Sequence, residues 1–166
     1  MSTTVLRSLF AYKAWANAEL FAALATLPAE QAEILQACVR TLNHIYVVDR
    51  IFRAHLSGEA RPFDATNTPE TPSLESLRVE VSATDAWLEA YVASLGEPAL
   101  TEVLSFQFTD GEAGRMSREE MLLHLIVHGA YHRGNVGQQL KSIGVAPPRD
   151  LYTRFLHLAQ PARRTG

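Results

Sequence analysis

A chain of 166 residues with 47% hydrophobic and 20% charged side chains is the size of one domain and too apolar to stay disordered. Fifteen Lys plus Arg against eighteen Asp plus Glu leave a net charge of −3; without a basic block, and with the terminal Arg163-Arg164 pair too small to supply one, nucleic-acid binding is not expected. One cysteine, Cys38, excludes an internal disulfide, and the absence of a leader pattern or of an apolar run near 18 residues predicts a soluble protein of the reducing cytoplasm, without a membrane span.

From Thr4 to Leu27 the large apolar residues Leu6, Leu9, Phe10, Leu20, Phe21 and Leu24 follow a helical period, Lys13 being the exception, and Pro28 ends the helix. A second helix starts near Ala29-Glu30, carries Ile34, Cys38, Leu42, Ile45, Val48 and Phe52 three and four residues apart, and meets a stop at Gly58. Residues 58–72 hold Gly58, Pro62, Asn67, Pro69 and Pro72. Such a segment cannot continue a helix, but extended it reaches about 50 Å, enough to cross a whole bundle and leave its flanking helices parallel.

A third helix, capped by Thr71 or Ser73, carries Leu74, Leu77, Val81, Trp87, Tyr91 and Leu95 to a stop at Gly96. Val103 to Phe108 is rich in β-formers, and Thr109-Asp110-Gly111 signals a turn before Arg115 and Met116, which predicts a short hairpin. Ser117-Arg118-Glu119-Glu120 matches the S-x-x-E capping box and announces a fourth long helix, which runs to Ile143 before Gly144, Pro147 and Pro148. Asp150 is positioned to cap a short C-terminal helix through Phe155 to Leu158. The elements add up to an all-α helical bundle, one domain over residues 1–160 with a tail at 161–166.

The interior of a helical bundle is where polar side chains need a reason, and the last long helix carries His124, His128 and His132, each four residues after the one before. Six histidines placed at random would give about 0.2 such i,i+4 pairs, so two overlapping pairs stand out. Each pair shares a helix face and can chelate one ion. A third ligand is available at His44, beside the apolar stripe of the second helix and about as far along it as His128 and His132 are along theirs. His55 lies three turns from His44 at the helix end, His157 falls on the surface, and Cys38 faces away from His44 into the core. Three neutral imidazoles suit zinc, nickel, copper or iron(II) and leave coordination positions for water or substrate. Packed histidines without a metal are the bland reading of the same pattern.

The run His124-Leu-Ile-Val-His128-Gly-Ala-Tyr131-His132-Arg133-Gly134-Asn135 resembles the H-x-x-x-H-x-x-Y-H-R-G-Q motif on the last bundle helix of the DinB/YfiT-like family of metal-dependent enzymes. Tyr12-Lys-Ala-Trp15-Ala-Asn17 is similar to that family's first-helix signature, Leu42-Asn-His44-Ile-Tyr with Asp49 to its second, and Gly144 to Leu156 to its tail. The resemblance implies a four-helix bundle of up-down-down-up topology, in agreement with a long crossover between helices two and three, and a homodimer. It carries the three metal ligands onto His44, His128 and His132. His124 becomes a neighbour of the site, as do Tyr131 and Arg133, which are read as packing and surface residues, Arg133 with a further role in holding an anionic substrate group. Asn135 stands where the family more often has Gln.

Family members with an assigned activity include metal-dependent transferases using a low-molecular-weight thiol such as bacillithiol or mycothiol, and a mycothiol-dependent isomerase. The resemblance therefore implies a small-molecule substrate, a divalent transition metal and an incoming thiol. A hydrolase using metal-activated water is the alternative enzyme. Against it, the helix lacks H-E-x-x-H and has Leu125 where that motif places its base, Glu119 and Glu120 lie two turns away, and Asp49 is on another face from His44. A metal-binding stress-response module without catalysis is the non-enzymatic alternative. Trp15, Trp87 and Tyr91 read as core, and Phe106 and Phe108 as hairpin residues placed to cover one end of a pocket.

Overall fold

The computed structural model describes residues 2–164. The last two residues of the expected tail, 165–166, lie outside the described residues. Helix α1 (Thr3–Leu24) starts where the Ser2 hydroxyl accepts the Val5 N–H. A short 3-10 turn at Ala29–Gln31 leads into α2 (Ala32–Ser57), which stops at Gly58 with φ of 72°, a left-handed conformation that glycine adopts without a Cβ penalty. Ser73, not Thr71, caps α3 (Leu74–Ser94). Pro98 at the first turn then starts a four-residue helix that the pattern alone did not announce, α4 (Glu97–Leu100).

The hairpin forms as predicted, with β1 (Val103–Gln107) antiparallel to β2 (Ala113–Ser117) and Val103 opposite Ser117. Both bonds of the expected capping box, between Ser117 and Glu120, start α5 (Arg118–Ser142). A C-terminal helix α6 (Tyr152–Ala159) follows, but no side chain caps it. Asp150 is instead taken by Arg133 and Tyr12, because a buried guanidinium offers a carboxylate more than an exposed helix end does.

The structure is thus dominated by helix, with one small two-stranded sheet. No helix among the described residues is long and apolar enough to cross a membrane. Helix α1 packs against α3 and α5, and α2 against α5 and α3. The buried apolar residues form two clusters, one around Phe21, Leu42, Val47 and Leu77, the other around Phe10, Leu88, Met121 and Leu125. Along α1 and α3, Lys13 and Asp85 fall between the residues of these clusters. Helix α6 rests on α1 through Tyr152 and Phe155, whose rings lie 5.4 and 6.0 Å from that of Tyr12.

Candidate metal centre

Packing α2 on α5 turns two helical patterns into one cluster. His44 Nε2 lies 3.1 Å from His128 Nε2, and the His132 ring centroid is 4.7 Å from that of His44 and 4.5 Å from that of His128. One ring nitrogen from each of His44, His128 and His132 falls within 4.8 Å of the others, and all three side chains are half-buried. The segment after α2 supplies the orientation. The Thr66 carbonyl lies 2.6 Å from His44 Nδ1 and so accepts a hydrogen bond from its N–H, leaving the Nε2 lone pair aimed at the cluster. Thr66 is held there because Asn43 donates to Asn67 and Thr68, while Arg40 donates to the Thr68 carbonyl at 2.6 Å.

Two of the imidazoles, His128 and His132, are tuned toward the neutral form a metal requires. Burial, with the neighbouring His132, His44 and His124 and with Lys13, depresses the His128 pKa from 6.5 to about 3. Burial and the His44 charge also lower that of His132. Two nitrogens facing at 3.1 Å are close to the roughly 3.3 Å that tetrahedral bonds of 2.0–2.1 Å to one ion would impose. His132 Nδ1 lies 3.4 Å from the Asn135 amide group, and turning that amide over would offer its oxygen to the ring N–H. The residues present therefore fit a divalent ion of the imidazole-binding kind.

A stability consequence follows for the metal-free protein. A histidine whose folded pKa is depressed contributes stability that is present above its unfolded pKa of 6.5 and is lost as pH falls through about 3. The His128 ring resonances are expected to show no protonation in an NMR titration from pH 8 to about 5. Over that range wild type should lose stability relative to His128→Asn. A midpoint near 6.5 would show that burial does not control this ring.

Other predicted residues divide. His124 stacks on His128 at 5.3 Å and on Phe52 at 4.8 Å, beside the cluster and outside the group of three. Tyr131 is 68% exposed and meets the site only through its ring edge, 5.0 Å from His132. Arg133 is a packed residue, 3% exposed and donating to Asp150 at 2.7 Å. His55 faces Phe106 at 4.9 Å, His157 is exposed, and burial pushes the Cys38 thiol up to about 11, an unreactive core position. Leu125 is fully buried. Trp15, Trp87 and Tyr91 are half-buried, Trp87 and Tyr91 packing against the core cluster around Leu88, with Arg53 lying 4.5 Å over the Trp87 ring. Phe106 packs on Phe52, and Arg61 donates to the Phe108 carbonyl at 2.7 Å, tying the hairpin to the segment after α2.

The residue that pattern reasoning passed over is Lys13. It is fully buried, with Nζ 2.7 Å from Asp49 and 2.5 Å from Asp85, and Asn17 donates to Asp85 at 2.8 Å. Burial opposes the Lys13 charge, yet the two carboxylates together raise its pKa above 10.5. Burial conversely raises that of Asp49 to about 6 despite the ammonium. Gly129, next to His128, makes room: a Cβ there would stand 3.2 Å from Arg133 Nη1 and 3.7 Å from Lys13 Cε. The available signal was a charged residue interrupting the apolar stripe on three helices at once.

Comparison with known proteins matches the DinB family to residues 1–164. "Protein DinB" of Bacillus subtilis (strain 168) is 25% identical over 167 aligned positions, which cover 92% of this chain and 94% of that protein.

Proposed function

The chain belongs to the DinB family, and on that premise we propose that it is a metal-dependent enzyme in which His44, His128 and His132 hold one divalent transition ion. Zinc or nickel suits the site first, iron or copper next, because imidazole ligands accept all four and supply decides. The reaction is the transfer of a low-molecular-weight thiol onto an electrophile. The observation that carries this reading is the set of three imidazoles from two helices whose ring nitrogens lie within 4.8 Å of one another, each still half-exposed and thus open to a ligand from solvent.

When bound, the ion would supply Lewis acidity that lowers the pKa of a thiol. The chain's own residues do the rest. The Thr66 carbonyl keeps His44 in its Nε2-ligating tautomer. Cys38 is buried and unreactive, so the sulfur nucleophile comes from outside. His124, stacked on His128, is placed to move a proton next to the reacting group. That same histidine keeps a hydrolase as a second reading, since it would serve equally to take a proton from water.

The proposal extends to the architecture: α1, α2, α3 and α5 form an up-down-down-up four-helix bundle, with residues 58–72 as the crossover. That single domain spans residues 1–160, followed by a tail. It also extends to a homodimer, on the family resemblance alone, and to a reducing cytoplasm, for which the lone buried cysteine is the support.

The test is to incubate metal-supplied protein with low-molecular-weight thiols, bacillithiol and mycothiol among them, and a panel of electrophiles, following thiol loss. The expected result is an acceleration that Cys38→Ala retains and His128→Ala lowers by about 100-fold or more. Turnover of esters or amides without thiol would select the hydrolase. No turnover in either arm would leave a metal-binding module.

A further inference from the structure

The C-terminal stretch reverses the charge of the chain. Residues 149–164 hold four of its fifteen Lys plus Arg but one of its eighteen Asp plus Glu, and that one, Asp150, is spent on Arg133 and Tyr12. Helix α6 turns Tyr152 and Phe155 toward α1, which leaves its other face to solvent. On that face a concavity of about 270 Å³ is lined by Arg149, Thr153, Arg154, His157 and Arg164, and no acidic residue lines it. The side chains of these three arginines make no hydrogen bond or ion pair among the described residues, whereas Arg40, Arg61, Arg118 and Arg133 are all engaged. Leu151 and Leu158, 46% and 55% exposed, form an apolar lip to the same concavity.

We propose that this concavity is a binding site for a phosphorylated small organic molecule, separate from the histidine cluster. Three arginines lining one concavity, with a threonine and a histidine, offer more charged donors than a single carboxylate has acceptors. They match the several oxygens of a phosphate or diphosphate, which guanidinium binds in bidentate fashion. The leucine lip calls for an apolar portion on the ligand. A bilayer is the poorer occupant, because α6 has eight residues and has already used its aromatic face on α1, leaving no broad apolar face to lie in an interface. Nucleic acid is poorer still for a chain of net charge −3 with one compact cationic spot.

The test uses the metal-supplied full chain, titrated with phenyl phosphate and with inorganic phosphate, sulfate serving as the control for simple anion attraction. Binding is followed through the Arg154 side-chain N–H and the His157 ring by NMR. The expected result is saturable binding, tighter for phenyl phosphate than for the inorganic ion. Arg149→Ala/Arg154→Ala, with its fold checked by circular dichroism, should weaken it by at least about tenfold. His44→Ala should leave it unchanged, which separates this site from anion coordination at the metal. The proposal is overturned by unsaturable shifts, by equal response to sulfate, by a double variant that binds like wild type, by loss of binding in His44→Ala, or by binding to phosphatidylglycerol vesicles alone.

Discussion

Protein purified without a tag and supplied with zinc or nickel is expected to retain about one equivalent of metal by elemental analysis, and His44→Ala, His128→Ala and His132→Ala each to lose it. His124→Ala should keep most of it. The asymmetry comes from geometry: His44, His128 and His132 bring nitrogens within 4.8 Å of one another, while His124 touches the cluster only by stacking on His128. Removing one of three ligands leaves two, and two imidazoles do not compete with water and buffer for a borderline ion. Asn43→Ala adds a finer prediction. It releases Asn67 and Thr68, hence the Thr66 carbonyl that holds the His44 tautomer, and affinity should fall by about 10–100-fold with the ligands intact. Folded, metal-supplied wild type without metal would sink the metal centre altogether. Equal loss in His124→Ala would move the centre toward Phe52.

Lys13→Met is expected to destabilise the protein by about 3–5 kcal/mol in urea unfolding, among the largest single-residue effects in the chain. The substitution removes the ammonium but leaves Asp49 and Asp85, 2% and 5% exposed, facing each other's charge in the interior. Asp49 already has a pKa raised to about 6 with Lys13 in place, and losing the partner pushes it higher. A carboxyl whose folded pKa exceeds its unfolded value of 3.8 loses stability as pH rises from the unfolded value through the folded one. The defect should therefore be larger at pH 8 than at pH 4. Adding Asp49→Asn and Asp85→Asn should recover a substantial part of it, because amides are cheaper to bury than unpaired carboxylates. A loss below about 1 kcal/mol, or one independent of pH, would mean that water reaches the triad.

Signals confined to a few neighbouring residues were legible in the chain. The capping box at Ser117 and Glu120, the stop at Gly58, the Thr109-Asp110-Gly111 turn and the i,i+4 histidines each depend on residues within one turn of one another, so spacing alone announces them. Asp150 shows where this fails. As a local sequence it looks like a helix cap, but Arg133, 17 residues earlier, and Tyr12 on another helix outbid α6 for its carboxylate. For Arg133, spacing alone leaves packing and surface open, and only its partner Asp150 shows it to be packed. Lys13 looked like an interruption because Asp85, which explains it, lies 72 residues away.

By itself the sequence determined the helical period of each long segment, the position of the hairpin and the i,i+4 spacing of the three histidines of α5. Those features follow from backbone geometry and local hydrogen bonding, which short stretches carry in themselves. Only the tertiary structure decided that the segment after α2 orients His44 through a carbonyl, that His124 stands beside the cluster, that Tyr131 points outward, and that a lysine is buried between two aspartates. Each of these depends on which distant groups share a low-dielectric interior, where an unpaired charge or an unsatisfied donor costs more than any local preference can offset.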